Sequence, residues 1–175
     1  GFDLDDYDRL FAERLDLLLK IRAEEKVSWS GTLRAPLVDA GVYPRDEREL
    51  PVWIAVGGTP QSIARAGTLG IPLALAIIGG EPARFKPHAD LYREAGRRAG
   101  INESRLKFSL NMHGFVAETS QQARDIFYPG YADVMSRIGR ERGWPPLTRS
   151  QFEIACGRDG NLLVGSPDEV AGKIE

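Results

Sequence analysis

The sequence predicts an α/β fold built on a parallel sheet, and three features point that way. Two uninterrupted apolar runs, PVWIAV at 51–56 and IPLALAII at 71–78, are bounded by turn residues, and each ends in a glycine pair, Gly57-Gly58 and Gly79-Gly80. Continuous hydrophobicity of this kind is the pattern of a parallel strand covered on both faces. A third run, within LKFSLNMHGFVAET at 106–119, completes a β-α-β-α-β order, with a strand expected near 107–116. Strands that alternate with amphipathic helices need right-handed crossovers. The sheet is then parallel, and its site lies at the carboxyl ends of the strands.

Each element follows from local chemistry. Asp5 and Asp8 sit at a helix N-terminal turn, and Tyr7, Leu10, Phe11, Leu15, Leu18 and Ile21 recur at helical spacing, a stripe that a sheet should cover. The segment 26–51 alternates briefly in VSWSG and then turns rich in Gly, Pro and charge, which suggests a short hairpin and a long irregular connection. After the first strand, Thr59 is a favoured N-cap type and Pro60 suits the first helical position; Ile63, Ala66 and Gly67 share a face, and Gly70 ends the helix. A second helix runs from about Pro82 to Ala99 and closes at Gly100. Beyond the third strand, TSQQ at 119, TRSQ at 148 and SPDE at 166 read as capping boxes, and GRERGWPP breaks the helical run between them. No low-complexity tract or linker interrupts the chain, so residues 1–175 are expected to form a single domain.

Composition narrows the function classes. The chain has 175 residues, enough for one ordinary core, with 23 Lys plus Arg against 25 Asp plus Glu. A formal net charge of -2 favours neither nucleic acid nor an anionic membrane as partner. The single cysteine, Cys156, excludes an internal disulfide framework and fits a reducing compartment. No apolar run approaches the roughly 20 residues of a membrane span, and GFDLDDYD lacks the features of a signal peptide. A cytoplasmic protein is expected. The chain does not begin with Met and stops one or two turns into a capped helix, as a piece of a longer protein would.

The strand-to-helix turn at 57–62 has two readings. Glycines remove side chains at the strand end, so backbone N–H groups and the positive end of the helix dipole can approach an anion such as a phosphate. Alternatively, Gly57 and Gly58 only make the tight turn that many such units need.

PVWIAVGGTPQSIARAGTLGIPLALAIIGG, with YREAGRRAG, HGFVAETSQQAR and VGSPDEVAGKI, resembles the second half of the luciferase-like (bacterial luciferase family) flavin-dependent monooxygenases, which are (β/α)8 TIM barrels. The resemblance spans nearly the whole chain and rests on the order of the motifs more than on any one of them. It implies an α/β partial barrel with about three parallel strands, the fifth to the seventh, while the first four and the eighth lie outside this sequence. A chain with only three strong strands cannot close an eight-stranded barrel.

The resemblance further implies a flavin-dependent oxidoreductase, a monooxygenase using reduced FMN and O2 on a small organic substrate. Electrons would come from NAD(P)H or a partner flavin reductase, and the assembly would be a homo-oligomer. Gly57, Gly58, Thr59 and Ser62 then occupy the loop that helps bind the FMN phosphate, and Gly79 and Gly80 join the cofactor-binding set. Bacterial luciferases carry an acidic residue and more hydroxyls at this loop, whereas this chain has glycines and Pro60, which leaves a deazaflavin as an alternative cofactor. A non-catalytic flavin-binding or dimer-forming barrel relative is the rival function. An open-sheet nucleotide-binding domain is the other rival, but AVGGTPQS lacks the G-x-G-x-x-G spacing.

Other candidates are less specific. Asn111 and His113, two apart on the third strand, could both face the barrel mouth and contact the flavin ring or substrate, or His113 could be structural. His88 is expected at the surface of the second helix, and two isolated histidines offer no metal site. Arg137, Arg140 and Arg142 could meet a nicotinamide cofactor's phosphate or form a solvated face, and Cys156 reads as a buried small residue. Trp29, Trp53 and Trp144 read as packing, and no catalytic residue is identified.

Overall fold

The computed structural model describes residues 3–46, 48 and 50–175. The chain divides into two compact units, Gly1–Pro51 and Val52–Glu175.

In the first unit, helix α1 (Tyr7–Ala23) packs on strand β1 (Lys26–Trp29), which pairs antiparallel with β2 (Leu37–Gly41). The expected hairpin is therefore present. Its core is Leu17, Val27 and Trp29, with Ile21, Leu37 and Val42 against it. The buried positions of α1 differ from the expected stripe. Leu15 and Leu17 are buried, while Tyr7 and Leu18 are exposed. Polar bonds close the unit. Trp29 donates its indole N–H to Asp16 at 2.8 Å, and the Glu13 carboxylate accepts from Thr32 N, Thr32 Oγ1 and Leu33 N. Bonds from that loop, the Thr32 amide first, hold the Glu13 carboxyl below its usual range. Arg45 donates to the carbonyls of Ile21, Arg22 and Glu24, satisfying the carboxyl end of α1.

The second unit holds a three-stranded parallel sheet in the order β3 (Ile54–Val56), β4 (Leu73–Ala76), β5 (Phe108–Asn111). Helices α2 (Pro60–Leu69) and α3 (Lys86–Arg98) are its crossovers. Ile54, Val56, Leu73, Leu75 and Ile77 point to one face and are buried with Ile63, Ala66 and Tyr92. The opposite face carries Ala55, Ala74, Ala76, Ser109 and Asn111, partly or fully exposed. Burial on both faces was expected from the continuous apolar runs. Among the described residues only one face is covered, and the continuity instead reflects small alanines on the other. At Gly67 a Cβ would run into the Tyr92 carbonyl, so α2 and α3 touch backbone to backbone.

The third expected strand is divided. Asn111 O accepts from Ile77 N on the β4 side, but His113 O accepts from Leu163 N on the other side. The carbonyls of an uninterrupted strand two residues apart point the same way. Between Asn111 and His113 the chain therefore changes parity, and Gly114–Val116 becomes a separate strand, β6. It pairs parallel with β7 (Leu163–Gly165), a strand too short and too near GSP for periodicity to reveal. Helices α4 (Ser120–Arg142), α5 (Arg149–Cys156) and α6 (Pro167–Ile174) belong to this part. Thr148 and Gln151 form a full capping box, whereas Thr119 and Ser166 cap one-sidedly, accepting from Gln122 N and Glu169 N. Gly143, left-handed at φ 70°, ends α4 inside the expected break.

Candidate cofactor site

The turn between β3 and α2 is built from the backbone. Gly58 has φ 118°, a conformation that L side chains rarely adopt, so the turn requires glycine there. Gly57 is different: a Cβ on it would meet no protein atom within 4 Å. Thr59 is the N-cap of α2, with φ -71° and ψ 115°, but its hydroxyl makes no capping bond. Pro60 opens the helix as expected, and Ile63 N donates to Thr59 O at 3.2 Å. The amides of Gln61 and Ser62 thus belong to the first turn, where a helix offers donors without intrahelical acceptors and the positive end of its dipole. Thr59 is exposed and Ser62 half-buried. Hydroxyls and amides at such an end can hold an anion.

Because β3 and β4 are adjacent and parallel, the second glycine pair lies at the same edge of the sheet. Gly79 and Gly80 are exposed, Gly80 has φ 84°, and a Cβ on either would meet nothing within 4 Å. Just before them, Ile78 O accepts from Nδ2 of the buried Asn161 at 3.0 Å. A cavity of about 540 Å³ adjoins this edge, lined by Gly80, Glu81, Arg84, Arg158, Asp159 and Asn161 among others.

Asn111 and His113 are not brought together. Asn111 lies beside Ala76 on the uncovered face. His113 sits with its ring edge-on to Tyr131 of α4, centroids 5.4 Å apart, on the side where Phe115 stacks on Phe127. The parity change between them separates what an unbroken strand would align.

His88 departs from the surface placement expected of it. Half-buried at the start of α3, its Nε2 lies 3.0 Å from Gly58 O and its ring lies against Phe85 at 5.5 Å. Its spacing from Phe85 and from the buried Tyr92 is three and four residues, which places all three on one helical stripe. That was the available signal. Arg137, Arg140 and Arg142 are exposed, Arg142 over the Trp144 ring at 5.2 Å. Cys156 is buried, and burial pushes its thiol up to about 11, which leaves it protonated and inert. Among the described residues no helix is long and apolar enough to cross a membrane.

Comparison with known proteins fits this geometry. The family model described as luciferase-like monooxygenase matches residues 1–175. No curated protein matches the chain in sequence. Among solved structures, the monooxygenase RslO1 from Streptomyces bottropensis is similar at 24% identity and TM-score 0.72, over 99% of this chain and 51% of that one. The oxygenating constituent of 3,6-diketocamphane monooxygenase from Pseudomonas putida, in complex with FMN, gives 22% identity and TM-score 0.64, over 99% and 52%. The coenzyme F420 dependent tetrahydromethanopterin reductase from Methanopyrus kandleri gives 15% and 0.66, over 93% and 53%. The chain thus spans about half the length of the structures it resembles, as the expected partial TIM barrel does. With a family match over its whole length, this chain belongs to the luciferase-like monooxygenase family.

Proposed function

We propose that the protein carrying this chain is a flavin-dependent oxidoreductase, a monooxygenase acting with reduced FMN and O2 on a small organic substrate. The observation that supports this most is the β3–α2 turn, where Gly57 leaves open space beside first-turn amides and the Thr59 and Ser62 hydroxyls. That donor set fits a phosphate: neutral donors, a helix dipole and no carboxylate within the turn. When bound, the flavin supplies the redox chemistry, and this chain holds and orients its phosphate end. Gly79 and Gly80 extend the same edge, and Asn111 on the uncovered face is assigned to the ring or substrate. The F420 dependence of a structural relative keeps a deazaflavin as the second cofactor reading. A nicotinamide nucleotide or a separate reductase as electron source, a homo-oligomeric assembly and a cytoplasmic location complete the reading, with no metal, nucleic acid or membrane.

Calorimetry on the full-length protein tests it. Ser62→Ala should weaken FMN by roughly 0.5–1.5 kcal/mol and leave riboflavin, which lacks the phosphate, unchanged. Gly57→Ala, whose methyl meets no protein atom, should also weaken FMN alone. Equal losses for both ligands would place the phosphate elsewhere.

A further inference from the structure

We infer that His88 is a positioning residue for cofactor binding: its ring fixes the Gly58–Thr59 peptide so that the Thr59 amide is presented to the cofactor's phosphate. The inference rests on the phosphate reading of the β3–α2 turn and adds a residue from a different element to it.

The geometry runs from tautomer to peptide to ligand. Gly58 O can only accept, so at 3.0 Å Nε2 must carry a proton and donate it. Nδ1 is buried without a hydrogen-bond partner, and Phe85 lies against the ring. His88 follows Pro87 in the first turn of α3, a helix anchored by Tyr92, whose hydroxyl donates to Ile71 O at 3.0 Å. The donor is therefore mounted on a rigid element. Its acceptor is the most permissive residue of the turn, Gly58, at φ 118°. A glycine in that region has neighbouring backbone states of similar energy, so something outside the turn must select one. Across a trans peptide the C=O of one residue and the N–H of the next point in opposite directions. Drawing Gly58 O toward α3 thus turns Thr59 N–H away from α3. Without His88 the peptide could rotate and the amide would lose its aim, although the turn would still form.

The test compares FMN with riboflavin on the full-length protein carrying His88→Leu, His88→Asn or His88→Gln. Leu removes the donor, and Asn places its amide near the Nδ1 position, short of Gly58 O; Gln can reach the Nε2 position. Leu and Asn should each weaken FMN about tenfold, the loss of one hydrogen bond to an anion, with riboflavin changed less than about twofold. Gln should recover most of the affinity. If Leu does not fold, Asn carries the same expectation. A wild-type protein that prefers FMN to riboflavin, with that preference intact in Leu and Asn, overturns the role of His88 alone. Equal weakening of both ligands, or Gln as poor as Leu, reduces His88 to packing and overturns it as well. A wild-type protein without preference for FMN removes the phosphate reading and this inference with it.

Discussion

The β3–β5 sheet with α2 and α3, and the β6–β7 ladder with α4, α5 and α6, bury their cores by opposite means. The first is largely aliphatic and tight: Ile54, Val56, Leu73, Leu75 and Ile77 are buried with Tyr92, and the helices touch at Gly67. The second is aromatic and spaced by rings. Phe152 meets Phe127, Tyr128 and Tyr131 at centroid distances of 6.4, 5.1 and 6.0 Å, around Ala123, Cys156, Leu162 and Val164. The second part also joins its helices through a charge network: Arg124 reaches Glu153 at 3.3 Å and Glu169 at 2.6 Å, while Arg149 reaches Asp125 at 2.8 Å and Glu153 at 2.6 Å. The difference teaches where tolerance lies. Backbone contact forbids added atoms, and ring packing forbids removed ones.

The largest expected effect follows from that second rule. Phe152→Ala should cost about 3–5 kcal/mol in denaturant unfolding, since Phe152 is wholly buried among rings that cannot collapse together. A loss under about 1 kcal/mol would break the comparison. The first rule is sharpened by a pair of glycines. Gly67→Ala should cost about 1–3 kcal/mol, because its methyl meets the Tyr92 carbonyl. Gly130→Ala on α4, where a Cβ meets nothing within 4 Å, should stabilise by about 0.5–1 kcal/mol through helix propensity. If thermal melts moved both in the same direction, helix contact would not be the cause.

The smallest effect is in pH. Bonds from Gln121 and then Arg149 hold the Asp125 carboxyl below its usual range. A carboxyl lowered in the folded state contributes stability above its unfolded pKa, near 3.9, and that contribution is lost as the pH falls through the folded value. Arg149→Met should therefore lower stability most at neutral pH and flatten the acid slope below about pH 4, where the curves of variant and wild type converge. Glu94 in α3 is lowered in the same way, first by its bond from Arg98, so Arg98→Met should flatten the curve there too. An unchanged acid slope in both variants would assign the acid response to other groups.

The first of the two regions was largely legible in the sequence. Its strands are continuous apolar runs, and Pro60, Gly70 and Gly100 punctuate its helices by conformational rules that act within a few residues. In the second region the caps were legible, at Thr119, Thr148 and Ser166, and so was the break that ends α4 at Gly143. The β6–β7 pairing joins residues some fifty positions apart and leaves three-residue strands, below the length at which alternation can be seen. Similarly, the turn at 57–62 could be located from its residue types, but not the bond from His88. That contact depends on how α3 packs beside α2, a tertiary fact that no local window contains. The stripe on α1 departs for a similar reason: periodicity marks which residues can be buried, and tertiary packing, such as that of Leu17 with Val27 and Trp29, decides which are.

The parity change between Asn111 and His113 also has a bearing on motion. Hydrogen bonds on either side of it run to different neighbours, Asn111 O to Ile77 and His113 O to Leu163, so one continuous stretch of backbone is shared between two ladders. Opening one ladder need not break the other. The bonds that Ile77 N and Leu163 N make to this stretch should then report separate openings, the first with the aliphatic layer and the second with the aromatic one. A boundary between two cooperative units would fall at Met112, in the two-residue step between β5 and β6, and not in a long loop.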